Sequence, residues 1–142
     1  RKRMVLNGYL SVEFDIKSPA NEFFQTYIEI MDLPKANAMV KTEVIAFGKK
    51  KTTYRMCGFH ISEWYKTLRG TIDKATWQNP DFYRKLEGTM TVTHVEDNDR
   101  DRATLTVEYE KTRPDIEDPK SIMDTIVDFF KELDKYLLES LK

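Results

Sequence analysis

The sequence predicts an α+β fold, a curved antiparallel sheet with a long C-terminal helix laid across one face. Three observations predict it. Residues 9–16 alternate apolar and polar side chains. Residues 89–109 hold two further β-rich runs around an acidic turn. Residues 118–141 repeat apolar side chains at helical spacing, over a length of about 30 Å.

In the first run Leu10, Val12, Phe14 and Ile16 share one face, and Tyr9, Ser11, Glu13 and Asp15 share the other. This is the pattern of a half-buried strand with one wet face. Ser18 and Pro19 then read as N-cap and first helical residue. Phe23, Phe24, Tyr27, Ile28, Ile30 and Met31 follow at helical spacing. Leu33-Pro34 ends the helix, because a residue before proline resists the α conformation. Residues 42–47 and 52–56 read as two strands around a Gly48-Lys49-Lys50 turn. Residues 60–82 show no clear period.

Along 89–95, Met90, Val92 and His94 lie on one face and Thr89, Thr91 and Thr93 on the other. Asp97-Asn98-Asp99 makes the turn. Leu105, Val107 and Tyr109 then share a face along 104–109, completing an antiparallel hairpin. Asp118-Pro119 opens the last helix, where Ile122, Met123, Ile126, Phe129, Phe130, Leu133 and Leu137 form one broad arc. Asp128, Lys131, Lys135 and Glu139 occupy the opposite side. Asp134 falls at the apolar edge and reads as a rim charge.

The chain has 142 residues, with 23 Lys and Arg against 24 Asp and Glu, a formal charge of −1. That length favours one domain over 1–142. The charge balance argues against a nucleic-acid partner, which selects a basic excess. Arg1-Lys2-Arg3 and Lys49-Lys50-Lys51 read as a solvated tail and turn. The single cysteine, Cys57, precludes an internal disulfide, reads as a buried inert thiol and fits a reducing compartment. No apolar run reaches a membrane span and no signal-peptide pattern opens the sequence, so a cytoplasmic location without integral membrane contact is expected. The first residue is Arg1, which leaves the native N-terminus open. His60 and His94 are the two histidines, and no zinc-ligand spacing, glycine-rich phosphate loop or nucleophile elbow occurs. Neither cofactor nor metal is expected.

An internal near-repeat stands at an offset of 18 residues. WYKTLRGTI at 64–72 resembles FYRKLEGTM at 82–90, with four positions identical and three exchanged like for like. Two copies suit a local duplication rather than a solenoid, which needs three or more units. The second copy is expected to be the regular sheet strand, and 60–82 an insertion.

Four stretches resemble, in order, the plant major latex proteins of the Bet v I allergen superfamily. They are GYLSVEFDIKSPANEFF at 8–24, LEGTMTVT at 86–93, VEYEK at 107–111, and Asp118-Pro119 before a long helix. The resemblance implies a helix-grip fold, in which the sheet wraps the C-terminal helix around a hydrophobic cavity. It also implies binding of apolar or amphipathic small molecules and a link to defence and stress responses. The family pattern has two further strands, joined by a glycine-rich loop, before the strand placed at Thr42. Here DLPKANAMV at 32–40 leads almost directly to that strand, so the sheet is expected to lack two strands and to expose an edge.

The expected cavity lining comes from the inward faces. The sheet supplies Phe14, Tyr54, Met56, Met90, Val92, His94, Leu105, Val107 and Tyr109. The helices supply Tyr27, Met123, Ile126 and Phe130. Tyr27, Tyr54 and Tyr109 would offer hydroxyls, and the methionines would adapt to irregular ligands. No paired lysine and carboxylate shares those faces, so no catalytic residue is assigned. The leading expectation is a ligand-binding protein. The alternatives are an interaction module with a reduced cavity, weakly self-associating through the exposed edge, and a lyase- or isomerase-type enzyme of the same fold.

Overall fold

The structure, a computed structural model, describes residues 6–31, 33–60 and 82–141, without the side chains of 57–60. Arg1-Lys2-Arg3, the repeat copy at 64–72 and the burial expected for Cys57 lie outside the described residues. Five strands form one antiparallel sheet: β1 (Asn7–Ile16), β2 (Ala38–Val44), β3 (Lys50–His60), β4 (Tyr83–Val95) and β5 (Asp101–Lys111). Their order across the sheet is β1-β5-β4-β3-β2. Among the described residues two α-helices, α1 (Ala20–Met31) and α2 (Lys120–Ser140), complete the α+β fold.

The alternation in β1 does what its chemistry requires. Phe14 and Ile16 are buried, while Tyr9, Ser11, Glu13 and Asp15 face outward. Gly8 lies opposite Tyr109 on β5. A Cβ at Gly8 would meet the Tyr109 hydroxyl at 2.5 Å, so glycine here makes room for the phenol ring. The second near-repeat copy lies along β4, as expected.

Several element boundaries differ from expectation. β2 begins at Ala38 and ends at Val44, so Ile45, Ala46 and Phe47 belong to the turn rather than the strand. Phe47 and Gly48 both take positive φ, 62° and 74°, and the Ile45 amide donates to the Lys49 carbonyl across the hairpin base. β3 runs well past the expected strand, with a register shift between Met56 and Phe59. Helix α1 starts at Ala20, where the Pro19 carbonyl accepts the Phe23 amide. Ser18 therefore does not cap it; its hydroxyl is given to Asp134 instead.

Asp134 is the larger correction. It is a buried anchor, not a rim charge. Its carboxylate accepts the Lys17 amide at 2.9 Å, the Ser18 amide at 2.8 Å and the Ser18 hydroxyl. A buried carboxylate needs such donors to offset its desolvation. The bonds pin the β1–α1 corner to α2.

The two helices meet through aromatic rings. Phe130 of α2 lies 5.4 Å from Tyr27 at a near-perpendicular 81° and 5.9 Å from Phe23. Edge-to-face arrangements of this kind suit the ring quadrupoles. Ile122, Ile126, Met56, Met90, Leu105 and Val107 complete the core between helices and sheet.

Candidate functional site

The structure gathers most of the expected lining residues into one cluster, but packs them tightly. Tyr27, Met56, Met90, Val92, Leu105, Val107, Ile126 and Phe130 have no accessible surface, and Phe14, Met123 and Tyr109 are buried. A side chain without accessible surface borders neither solvent nor a water-sized void. These residues fill the space beneath α2. Tyr54 and His94 differ, because both reach an opening at the start of α1.

That opening has two lobes. One, of about 210 Å³, is lined chiefly by Phe24, Ile28, Ala38, Val40 and Tyr54, with Asn21 and Gln25 at its mouth. The other, of about 400 Å³, is lined by polar groups including Lys17, Asn21, Tyr54, His94, Asp99 and Asp101. Asn21 and Tyr54 border both. The apolar lobe alone falls below the roughly 300–1,000 Å³ of typical ligand sites, whereas the polar lobe falls within it. A larger hollow of about 990 Å³ lies on the outer face of the sheet, among Glu13, Asp15, Arg100 and Arg102.

The polar lobe is built from elements far apart in sequence. Asp101, the first residue of β5, is buried. One of its oxygens accepts the Ala20 amide at 2.9 Å, satisfying an otherwise orphaned donor at the α1 N-terminus. The other lies 2.7 Å from His94 Nδ1. Asp101 thus fixes the imidazole while it holds the helix start. The Tyr54 phenol has its pKa raised, by burial first and by the Asp101 charge second. A phenol so held stays protonated at neutral pH and can donate a hydrogen bond to a guest. Phe24 packs on the Tyr54 ring at 5.4 Å.

Sequence reasoning singled out the Asp97-Asn98-Asp99 turn but not Asp101. Its role depends on Ala20, 81 positions away, and no local pattern carries that pairing. A signal did exist in His94, whose inward strand face directs it toward a partner on the neighbouring strand.

A second polar cluster closes the opposite end of the sheet. Lys111 pairs with Asp118 at 3.0 Å, and Tyr83 donates to the Glu117 carbonyl. The Lys111 hydrogen bond holds the Asp118 carboxyl below its usual range, assisted by one from Tyr109. Burial, with Asp118, Tyr109 and Glu117 nearby, pushes Tyr83 up to about 12.

No protein-family model matches the chain. Among curated proteins, uncharacterized protein At1g24010 of Arabidopsis thaliana is 67% identical over 138 residues, covering 96% of this chain and 98% of that protein. A second Arabidopsis protein, uncharacterized protein At1g24000, is 35% identical over 136 residues, covering 95% and 97%. MLP-like protein 423 of the same plant is 28% identical over 171 residues, covering 96% and 97%. Among solved structures, Arabidopsis thaliana At1g70830, a member of the major latex protein family, covers 94% of this chain and 96% of its own, at 16% identity and a TM-score of 0.52.

The chain is similar in sequence to MLP-like protein 423 and shares the fold of the major latex protein At1g70830. The alignment with MLP-like protein 423 is longer than this entire chain, so it opens gaps here. Among the described residues β2 is an edge strand of the sheet, in keeping with the exposed edge expected from the sequence. Among the described residues, no helix is long and apolar enough to cross a membrane.

Proposed function

We propose that this chain binds a hydrophobic or amphipathic small molecule in the two-lobed opening between α1, β2 and β3. The observation that carries the reading is the junction of an apolar lobe with a polar one at Tyr54 and Asn21. Desolvating an apolar body in the first lobe supplies affinity, and Tyr54, His94 and Lys17 orient a polar end in the second. The similarity to MLP-like protein 423 and the shared major latex protein fold support the same ligand class and a place in defence or stress responses. The balanced charge and single cysteine support a cytoplasmic location. The same reading treats residues 1–142 as one domain, with 60–82 inserted after β3. It is a binding activity and requires no catalytic group.

Titration with 8-anilinonaphthalene-1-sulfonate, an apolar ring system bearing one charge, tests it. Ala38→Phe fills the apolar lobe from a half-buried position and is expected to weaken binding at least about tenfold. Tyr54→Phe removes the shared hydroxyl and is expected to weaken it about threefold to tenfold. Unchanged probe affinity in the folded Ala38→Phe protein would overturn this site. Native mass spectrometry of protein purified from plant tissue then identifies the bound species.

A further inference from the structure

Among the described residues β2 is one of the two edge strands, and its sequence is self-complementary. β2 reads Ala38-Met39-Val40-Lys41-Thr42-Glu43-Val44, and a valine, a charge, a threonine, the opposite charge and a valine stand symmetrically about Thr42. Met39, Val40 and Val44 are 62, 61 and 68% exposed. On the other side, β2 pairs with β3 from Ala38 opposite Met56 to Val44 opposite Lys50. Exposed, regular edges of this kind are templates for another strand.

Backbone geometry determines which groups are free. The Ile45 amide donates to Lys49 of β3 at 2.7 Å. Antiparallel pairing alternates direction residue by residue, so Glu43, Lys41 and Met39 also turn their amides and carbonyls toward β3. Val40, Thr42 and Val44 therefore turn theirs outward.

We propose that this chain forms a symmetric dimer in which β2 pairs antiparallel with β2 of a second copy about a two-fold axis at Thr42. In that register Thr42 opposes Thr42, and Val40 opposes Val44 in both directions. Each of these outward residues exchanges two backbone hydrogen bonds with its opposite. Lys41 then opposes Glu43 twice, at the closely spaced positions of the ladder where side chains meet best. Moving the axis one residue toward Lys41 sets Lys41 against Lys41, and moving it toward Glu43 sets Glu43 against Glu43. The charge pattern thus selects one register. Within one chain Lys41 and Glu43 only approach to 4.0 Å, with side chains 77 and 44% exposed, so both are available. A closed, isologous pair also ends the edge, because the far strand of the sheet is β1 and not a second β2. The contact is small and its association is reversible and concentration-dependent.

Sedimentation equilibrium of the wild-type protein, Lys41→Glu, Glu43→Lys and their equimolar mixture tests the register, with circular dichroism verifying folding. The wild type is expected to dimerise with rising concentration. Each single variant opposes like charges twice and is expected to raise Kd at least about tenfold. Their mixture restores two opposite-charge pairs and is expected to return dimer as a one-to-one heterodimer. Thr42→Pro removes an outward amide without touching the β3 ladder and is also expected to abolish the dimer. A wild type that stays monomeric, single variants that dimerise like wild type, or a mixture that stays monomeric would each overturn the proposal. Its failure leaves the ligand site untouched, since probe binding at Ala38 and Tyr54 reads that site separately.

Discussion

Replacing Asp134 with alanine is expected to be among the most damaging single changes in α2. The carboxylate accepts three donors, the amides of Lys17 and Ser18 and the Ser18 hydroxyl. Removing it leaves these donors unpaired, and each buried unpaired donor costs about 1–3 kcal/mol. Lys17 is exposed, so water recovers part of its loss, and the Ser18 hydroxyl can rotate. The Ser18 amide has no such escape, because Ser18 is buried. The expected loss is about 3 kcal/mol, against a total stability of about 5–15 kcal/mol for a domain. Urea denaturation followed by circular dichroism measures it, and the melting temperature is expected to fall by roughly 10 °C. Asp128→Ala, on the exposed side of the same helix, serves as control. Ser18→Ala is expected to cost about 1 kcal/mol alone and almost nothing once Asp134 is gone, since both changes break one network. A loss for Asp134→Ala no larger than that for Asp128→Ala would refute the anchoring role.

Phe47→Asn is expected to stabilise the protein by up to about 1 kcal/mol in the same denaturation assay, because asparagine tolerates the positive φ that a fully exposed phenylalanine holds here at a cost. Gly8→Ala is expected to destabilise by about 1–2 kcal/mol, since its Cβ displaces the Tyr109 ring, and this penalty should shrink in a Tyr109→Leu background. Ultraviolet titration is expected to show one phenol ionising at about 12, absent in Tyr83→Phe. A phenol pKa raised from 10.0 means that its contribution to stability is whole below about 10 and is lost as pH rises toward 12, so alkaline unfolding should come earlier than in Tyr83→Phe. Asp118 has the opposite sign: its lowered pKa gives stability that is present at neutral pH and lost on acidification through the folded value, and Asp118→Asn should flatten that acid limb.

Periodicity made β1, the β4–β5 hairpin and α2 legible, because each buries one face against the core and its polar face meets water. β2 was harder. Both its faces are exposed beyond Ala38, so no burial pattern marks where it starts. In the first half of β4 the period is blurred by Arg84, Lys85 and Glu87, whose charges are satisfied by exposed ion pairs with β5 and each other, and the near-repeat marked the strand instead. Inward faces were read correctly, yet an inward face does not distinguish a packed core from a cavity wall. That difference depends on whether Phe23 and Phe130 meet across the interior, a contact between residues more than a hundred positions apart. Asp101 was overlooked and Asp134 misjudged for the same reason. Each looks like a surface charge until the backbone amides it serves, 81 and 116 residues away, are brought to it.

The tie between Ser18 and Asp134 also imposes a schedule on synthesis. The described partners of the β1–α1 corner are made late, since β1 pairs with β5 and Ser18 with α2. At roughly 5–20 residues per second, the interval between making Ser18 and making Asp134 is about 6–23 s. For the earlier part of that interval, until β5 follows, β1 has no described strand to join. Its outer row of Ser11, Glu13 and Asp15 keeps the waiting strand hydrated and like-charged. The polar half of the alternation therefore serves the nascent chain before it serves the folded one.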